Sequence, residues 1–321
     1  MTASDQTRQL EILAGQIIRD GSKSFAAAAR LLPPDLRASA YLLYAWCRHC
    51  DDVVDGQTLG SQHRHDQRDS ERALAELKEN TIHVLEGGST NDPIFQALQL
   101  VCRKHRIPTS LPMDILAGFK LDIEKYRYVS IDDTLQYSYH VAGAVGIVMA
   151  MIMGVRDAPT LDRANDLGLA FQLSNIARDV IDDAQVGRVY LPAEWLENEG
   201  IEATAENIAS SKQRDRIAAV VHRMMTEAEK YYDSSLHGLK HLDLRSAWAI
   251  ASARSIYRSI GRKVVQRGDK AWDRRVSTTK GDKLACVLGG AATALYCHSI
   301  ARINESPPRT GLWSRPAIRL A

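Results

Sequence analysis

Residues 165–192 read NDLGLAFQLSNIARDVIDDAQVGRVYLP. On an α-helix, where each residue turns the chain by about 100°, Gln172, Asn175, Asp179 and Asp183 fall within a stripe roughly 80° wide. The other faces carry Leu167, Leu169, Phe171, Leu173, Ile176, Val180 and Ile181. The pattern predicts a helix buried on most sides, with its polar stripe turned into a cavity. Carboxylates in such a place need a cation.

The spacing recurs upstream in residues 42–55, LLYAWCRHCDDVVD, where Tyr44, Arg48, Asp51 and Asp55 stand four, three and four residues apart. Again one stripe ends in two aspartates a turn apart, so two acidic edges can face each other. Carboxylate pairs at this spacing offer hard oxygen donors, which suit Mg²⁺ and its habit of sharing ligands with substrate phosphates. Asp52 and Asp182 point about 100° away and read as supporting or surface groups. Acids at helical spacing are ordinarily a solvated face, but these two pairs end helices that are otherwise apolar.

The chain has 321 residues and a formal net charge of +2, with lysines and arginines scattered among acids. No nucleic-acid surface is expected. Five cysteines and a polar N-terminus, MTASDQTRQLE, point to the reducing cytoplasm. Cys47 and Cys50 form a CxxC without a second pair at zinc spacing and read as helix packing. None of the ten histidines has a glutamate three residues before it, which excludes a di-iron bundle. His65–Asp66 lies in a charged helix without the partners of a phosphohydrolase site.

Apolar residues recur at three and four, and period-two alternation is absent, so the fold class is all-α. Helices are expected over 4–20, from Ser22 to Pro33, 35–55, 65–86, 93–105, 112–126, 134–155 (capped by Asp132–Asp133), 210–238, 243–267 and 278–302, besides the organising helix. Pro108 and Pro112 should separate the fifth and sixth. Thr134–Val155 and Leu284–Ala301 are apolar enough to weigh as membrane spans but carry too many polar residues, and read as core helices. Residues 1–303 form one domain, and 304–321, with three prolines and several arginines, read as a loose tail.

Four segments in order, SKSF from Ser22, YAWCRHCDDVVD from Tyr44, YSYHVAGAVG from Tyr137 and LGLAFQLSNIARDVIDDAQVGRVYLP from Leu167, resemble the squalene/phytoene synthase family. The resemblance spans roughly residues 20–300. It implies a single-domain isoprenoid-synthase helical bundle around a central cavity, in which two prenyl diphosphates are bound through Mg²⁺, with Mn²⁺ as a substitute, and joined head to head. It implies that Asp51, Asp55, Asn175, Asp179 and Asp183 bind metal. Ser22, Lys23, Ser24, Arg48, Gln172, Asn175, Tyr257 and Arg275 would hold diphosphate, with Arg274 as the alternative to Arg275 because the connector 268–273 varies in length. Phe25, Tyr44, Tyr137 and Val141 would line the reacting centre, and Arg188 and Tyr190 match the loop after the second acidic motif. The four aspartates, Arg48 and Tyr137 make the implied catalytic set.

The implied reaction, part of carotenoid biosynthesis, condenses two geranylgeranyl diphosphates through prephytoene diphosphate to phytoene without NADPH. The small side chains Ala26–Ala29 after Phe25 favour a C20 chain over C15. The alternatives are a C30 head-to-head synthase acting on farnesyl diphosphate and, outside enzymes, an inactive helical lipid-binding module. A lipid substrate also implies peripheral contact with a bilayer, with Trp313 and the basic tail as candidates, and association with other enzymes of the pathway.

Overall fold

The computed structural model describes residues 3–21, 23–54, 57–58, 61–62, 67–299 and 305–318. Helix packs on helix, as the periodicity requires: α1 (Ala3–Gly21), α2 (Lys23–Ala29), α3 (Pro34–Val54), α4 (Gln67–Leu85), α5 (Pro93–His105), α6 (Ser110–Ile123), α7 (Ile131–Ser138), α8 (Ala144–Ile152), α9 (Ala158–Gln185), α10 (Ala193–Asn198), α11 (Ala205–Ala209), α12 (Arg214–Leu236), α13 (Leu244–Arg267) and α14 (Lys280–Ser299). The only strands among the described residues are β1 (Gln57–Thr58) and β2 (Ser61–Gln62), paired antiparallel beyond the end of α3.

The axis of the fold is α9. Asp157 caps it, Oδ1 accepting from Thr160 N at 2.9 Å, and Pro159 stands in the first turn, where its missing N–H breaks no helical bond. Its apolar sides pack against α8, α12 and α13. The approach of α8 is close: a Cβ on Gly168 would lie 2.4 Å from Ala142 O, and one on Gly146 would lie 2.6 Å from Ala164 O. Any side chain at these positions would push the two backbones apart.

Several expectations shift in detail. The helix expected over 134–155 is α7, a π-helical turn at Tyr139–Gly143, and α8. Its cap is Ser130, whose Oγ accepts from Asp133 N at 3.3 Å while Asp133 Oδ2 accepts from Ser130 N at 2.8 Å, a reciprocal capping box. Pro112 does not separate helices but lies in the first turn of α6, where proline is tolerated. Ile131–Ile152 is long and apolar enough to cross a membrane, yet 67% of its apolar window is buried inside the fold.

The largest difference is the C-terminal segment. Instead of hanging loose, residues 305–318 lie against α9 and α12. Arg309 places Nη2 2.6 Å from Asp166 Oδ1 and Nε 2.9 Å from Asp166 Oδ2, and Arg315 Nε is 2.7 Å from Asp162 Oδ1. Trp313 N donates to the Tyr231 hydroxyl at 3.1 Å, and its ring packs on Tyr139 at 5.6 Å between centroids. The cause is electrostatic: the Asp166 side chain is 0% exposed, and a carboxylate so placed must find a cation.

Candidate active site

A cavity of about 1490 Å³, its solvent-facing mouth included, opens between α2, α3, α8, α9 and α13. Each polar stripe reaches it at its near end, Tyr44 from α3 and Gln172 and Asn175 from α9, while Asp51, Asp179 and Asp183 lie beyond its lining. Below them the wall is apolar, with Ala28, Ala29, Leu43, Val141, Val145 and Leu167 among its side chains. Two aromatic pairs flank the polar end. Phe25 stacks on Tyr44 with centroids 5.6 Å apart, and Phe171 stacks on Tyr257 at 4.2 Å. The Tyr44 hydroxyl sits 2.3 Å from where a Cβ on Gly21 would be, so the residue ending α1 must be small. Burial pushes the Tyr44 phenol up to about 12, and the Cys47 thiol likewise to about 12. Both are held neutral at neutral pH, as expected of Cys47 as helix packing.

One turn beyond Asn175, Asp179 Oδ1 accepts from Arg178 Nε at 2.9 Å and Oδ2 accepts from Arg275 Nη2 at 3.0 Å. Arg275, rather than Arg274, therefore reaches the acidic end; Arg274 gives its carbonyl to Arg267 Nη1 at 3.2 Å. One turn further, burial and then the neighbouring Asp179 charge push the Asp183 carboxyl up to about 7. On α3, Arg48 Nη1 donates to Asp51 Oδ2 at 2.9 Å and Nη2 to Asp52 Oδ1 at 2.5 Å. Asp52 is thus the second anchor that aims Arg48. Ser22 and Asp55 lie outside the described residues, as do the side chains of Lys23 and Ser24.

Tyr137 departs from expectation. Val141, one turn later, lines the cavity, but Tyr137 is 4% exposed and is not among the lining residues. Its hydroxyl donates to Asp122 Oδ2 at 3.1 Å and its ring stacks on Tyr190 at 4.6 Å, while Tyr190 donates to Asp122 Oδ1 at 2.7 Å. Tyr128 packs edge-on against Tyr137 at 5.4 Å. A buried phenol needs an acceptor, and Asp122 on α6 supplies one, with the Tyr190 hydroxyl also 3.1 Å away. Burial, reinforced by the Asp122 charge, holds the Tyr137 phenol well above its usual range, so it remains a neutral donor. This cluster adjoins the acidic end, since the Asp122 and Asp183 charges act on each other. Asp122 and Tyr128 escaped the sequence reading because the partners they meet, Tyr137 and Tyr190, come from other segments, and Arg178 because it bonds the adjacent Asp179 rather than a residue at helical spacing.

Whether these donors suit Mg²⁺ can be judged from their chemistry. Among the described residues no three His, Cys, Asp or Glu side chains converge on one point. Mg²⁺ does not require that: it keeps waters and combines one or two carboxylates with substrate phosphate oxygens. Burial, and then the charges of Asp179, Asp122 and Asp182 with Arg188 opposing, raise Asp183, so a cation beside it would be favoured. The residues fit a divalent ion brought in with a diphosphate.

The chain belongs to the squalene/phytoene synthase family, whose model matches residues 18–282. It is 50% identical over 298 residues to the 15-cis-phytoene synthase of Pantoea ananas, covering 92% of this chain and 94% of that one. It is 49% identical over 304 residues to the phytoene synthase of Pseudescherichia vulneris, covering 94% and 97%. Among solved structures, a ligand complex of a dehydrosqualene synthase superposes with a TM-score of 0.79 at 27% identity, covering 90% of this chain and 97% of that one.

Proposed function

We propose that the protein is a prenyltransferase of carotenoid biosynthesis that joins two geranylgeranyl diphosphates head to head, through prephytoene diphosphate, to phytoene, releasing two diphosphates. The observation that carries this is one long apolar cavity headed by the polar edges of two helices, in a chain half identical to phytoene synthases. Asp51, Asp179 and Asp183, with Asp55 and Asn175, would hold Mg²⁺, which offsets diphosphate charge and so eases departure of the leaving group. Arg48 and Arg275 add positive charge at the same end; the exposed Arg275–Asp179 pair can exchange its carboxylate for a phosphate at little cost. The paired faces of Phe25 and Tyr44, and of Phe171 and Tyr257, stabilise an allylic cation without trapping it. The apolar wall keeps water away from that cation. Tyr137 and Tyr190 hold their protons on Asp122 beside the acidic end.

The C30 alternative is favoured by one observation, the likeness in fold to a dehydrosqualene synthase. One experiment separates the readings. Incubated with geranylgeranyl diphosphate and Mg²⁺ in the absence of NADPH, the protein should yield a C40 product that co-chromatographs with phytoene. Selective use of farnesyl diphosphate, or a need for NADPH, would overturn the C40 reading.

The protein is further proposed to work in the cytoplasm, touching a bilayer that holds substrate and product. With Arg309 and Arg315 engaged by Asp166 and Asp162, the tail is a poor membrane contact. The better surface is α14, whose outer face exposes Leu284, Leu288, Leu295 and Tyr296 with Lys280 at its start. Leu288→Asp should weaken co-sedimentation with anionic phospholipid vesicles; unchanged binding would remove α14 from this role.

A further inference from the structure

At the end of the cavity remote from the acids stands one charged side chain, Arg163. Along α9 it lies 16 residues before Asp179, about 24 Å at a rise of 1.5 Å per residue. The wall around it is made of Leu167 and of Gly238, Leu239 and Leu242 from the turn between α12 and α13. Arg163 is 8% exposed, and its guanidinium is not free to swing: Nη1 donates to Ser234 Oγ at 2.6 Å and Nη2 donates to Pro307 O. Gly238 closes in from the other side, since a Cβ there would lie 2.9 Å from Arg163 Cβ. Ser234 is itself anchored on Asp166, the carboxylate that Arg309 grips from the tail. The C-terminal segment thus sits behind Arg163 and fastens it from outside the cavity.

We infer that Arg163, backed by the C-terminal segment at Pro307 and Arg309, is the floor of the prenyl cavity and sets the longest chain the protein accepts. This rests on the prenyl diphosphate reading above and adds the residue that limits length. An apolar chain end reaching the floor meets a guanidinium whose hydrogen bonds it cannot replace, so moving Arg163 aside would leave buried donors and acceptors unpaired. A wall of leucine or methionine would yield to an extra isoprene unit at much smaller cost. Arg163 acts directly on the chain end, whereas Pro307 and Arg309 are positioning residues that act through it.

The test is the ratio of kcat/KM for the C25 homologue, geranylfarnesyl diphosphate, to that for geranylgeranyl diphosphate. It is measured in the full-length wild-type protein, in Arg163→Ala and in Arg309→Gln, each checked for a cooperative melting transition. The ratio should rise at least tenfold in both variants, the scale on which a pocket distinguishes added methylenes. Arg163→Lys, which keeps a donor for Ser234 or Pro307, should restore most of the wild-type discrimination. Should alanine not fold, Arg163→Met, which keeps the volume and loses both hydrogen bonds, takes its place with the same expectation. An unchanged ratio in a folded Arg163 variant would overturn the floor, and a ratio moved by Arg163→Ala but not by Arg309→Gln would overturn the role given to the tail. A wild-type protein that turns over no geranylgeranyl diphosphate would instead refute the functional reading itself.

Discussion

The two ends of α9 carry the same sequence device, two aspartates four residues apart, and put it to different uses. At one end Asp162 and Asp166 are met by Arg309 and Arg315, which the chain brings back from its own C-terminus. Burial still raises the Asp166 carboxyl, but Arg309, Ser234 and Arg163 all pull against that rise. At the other end Asp179 is met by Arg178 and Arg275, while burial and then the Asp179 charge raise the Asp183 carboxyl to about 7 with Arg188 opposing. The spacing of acids on a helix therefore does not define a metal site. What defines it is whether the fold supplies the compensating charge or leaves it to come from outside.

The sharpest way to break this comparison is to neutralise each end in turn. Asp179→Asn or Asp183→Asn should lower kcat by about 10³-fold or more, the scale of losing a group that stabilises developing charge, while far-UV circular dichroism keeps its helical signature. Asp51→Asn should behave in the same direction. Turnover that survives these changes would place the metal elsewhere. Asp166→Asn should do the opposite: a loss of about 3–5 kcal/mol in stability, read as a lower midpoint in urea, because Arg309 is left buried without its partner, with the turnover of the folded fraction largely kept. If Asp166→Asn were silent in stability, the strap would not be holding the fold.

A smaller effect sharpens the contrast. On the Mg²⁺ reading proposed above, the ion together with diphosphate at about 100 times its Kd should add roughly 2.7 kcal/mol to stability. Thermal melts of the wild type should shift upward with Mg²⁺ and diphosphate and back with chelator, those of Asp166→Asn should shift by the same amount, and those of Asp183→Asn should shift little. Smallest of all, Arg275→Gln should change stability by under about 1 kcal/mol, since its pair with Asp179 is exposed. The same change should still raise KM for the diphosphate substrate, measured by initial rates.

Much of this was legible beforehand because it depends on local spacing. The buried helix with Gln172, Asn175, Asp179 and Asp183 on one edge, and the matching edge of α3 with Tyr44, Arg48 and Asp51, follow from 3.6 residues per turn and from the apolar residues around them. The aromatic cluster was not legible in the same way. Tyr137 could be assigned to the reacting centre by resemblance, but only the packing of α6 against α7 shows its hydroxyl turned to Asp122.

By itself, then, the sequence determined the class of fold, the order of the helices and the polar edge that α3 and α9 each carry, since these are properties of each helix alone. The tertiary structure decided which of the two like-spaced aspartate pairs on α9 is gripped from the C-terminus, while Asp179 of the other keeps Arg178 and Arg275. That choice is made by arginines more than 140 residues away in the chain, beyond the reach of any helical period. It also decided that the proline-rich C-terminal segment is fastened to α9, because a buried carboxylate holds it there more firmly than its composition could suggest.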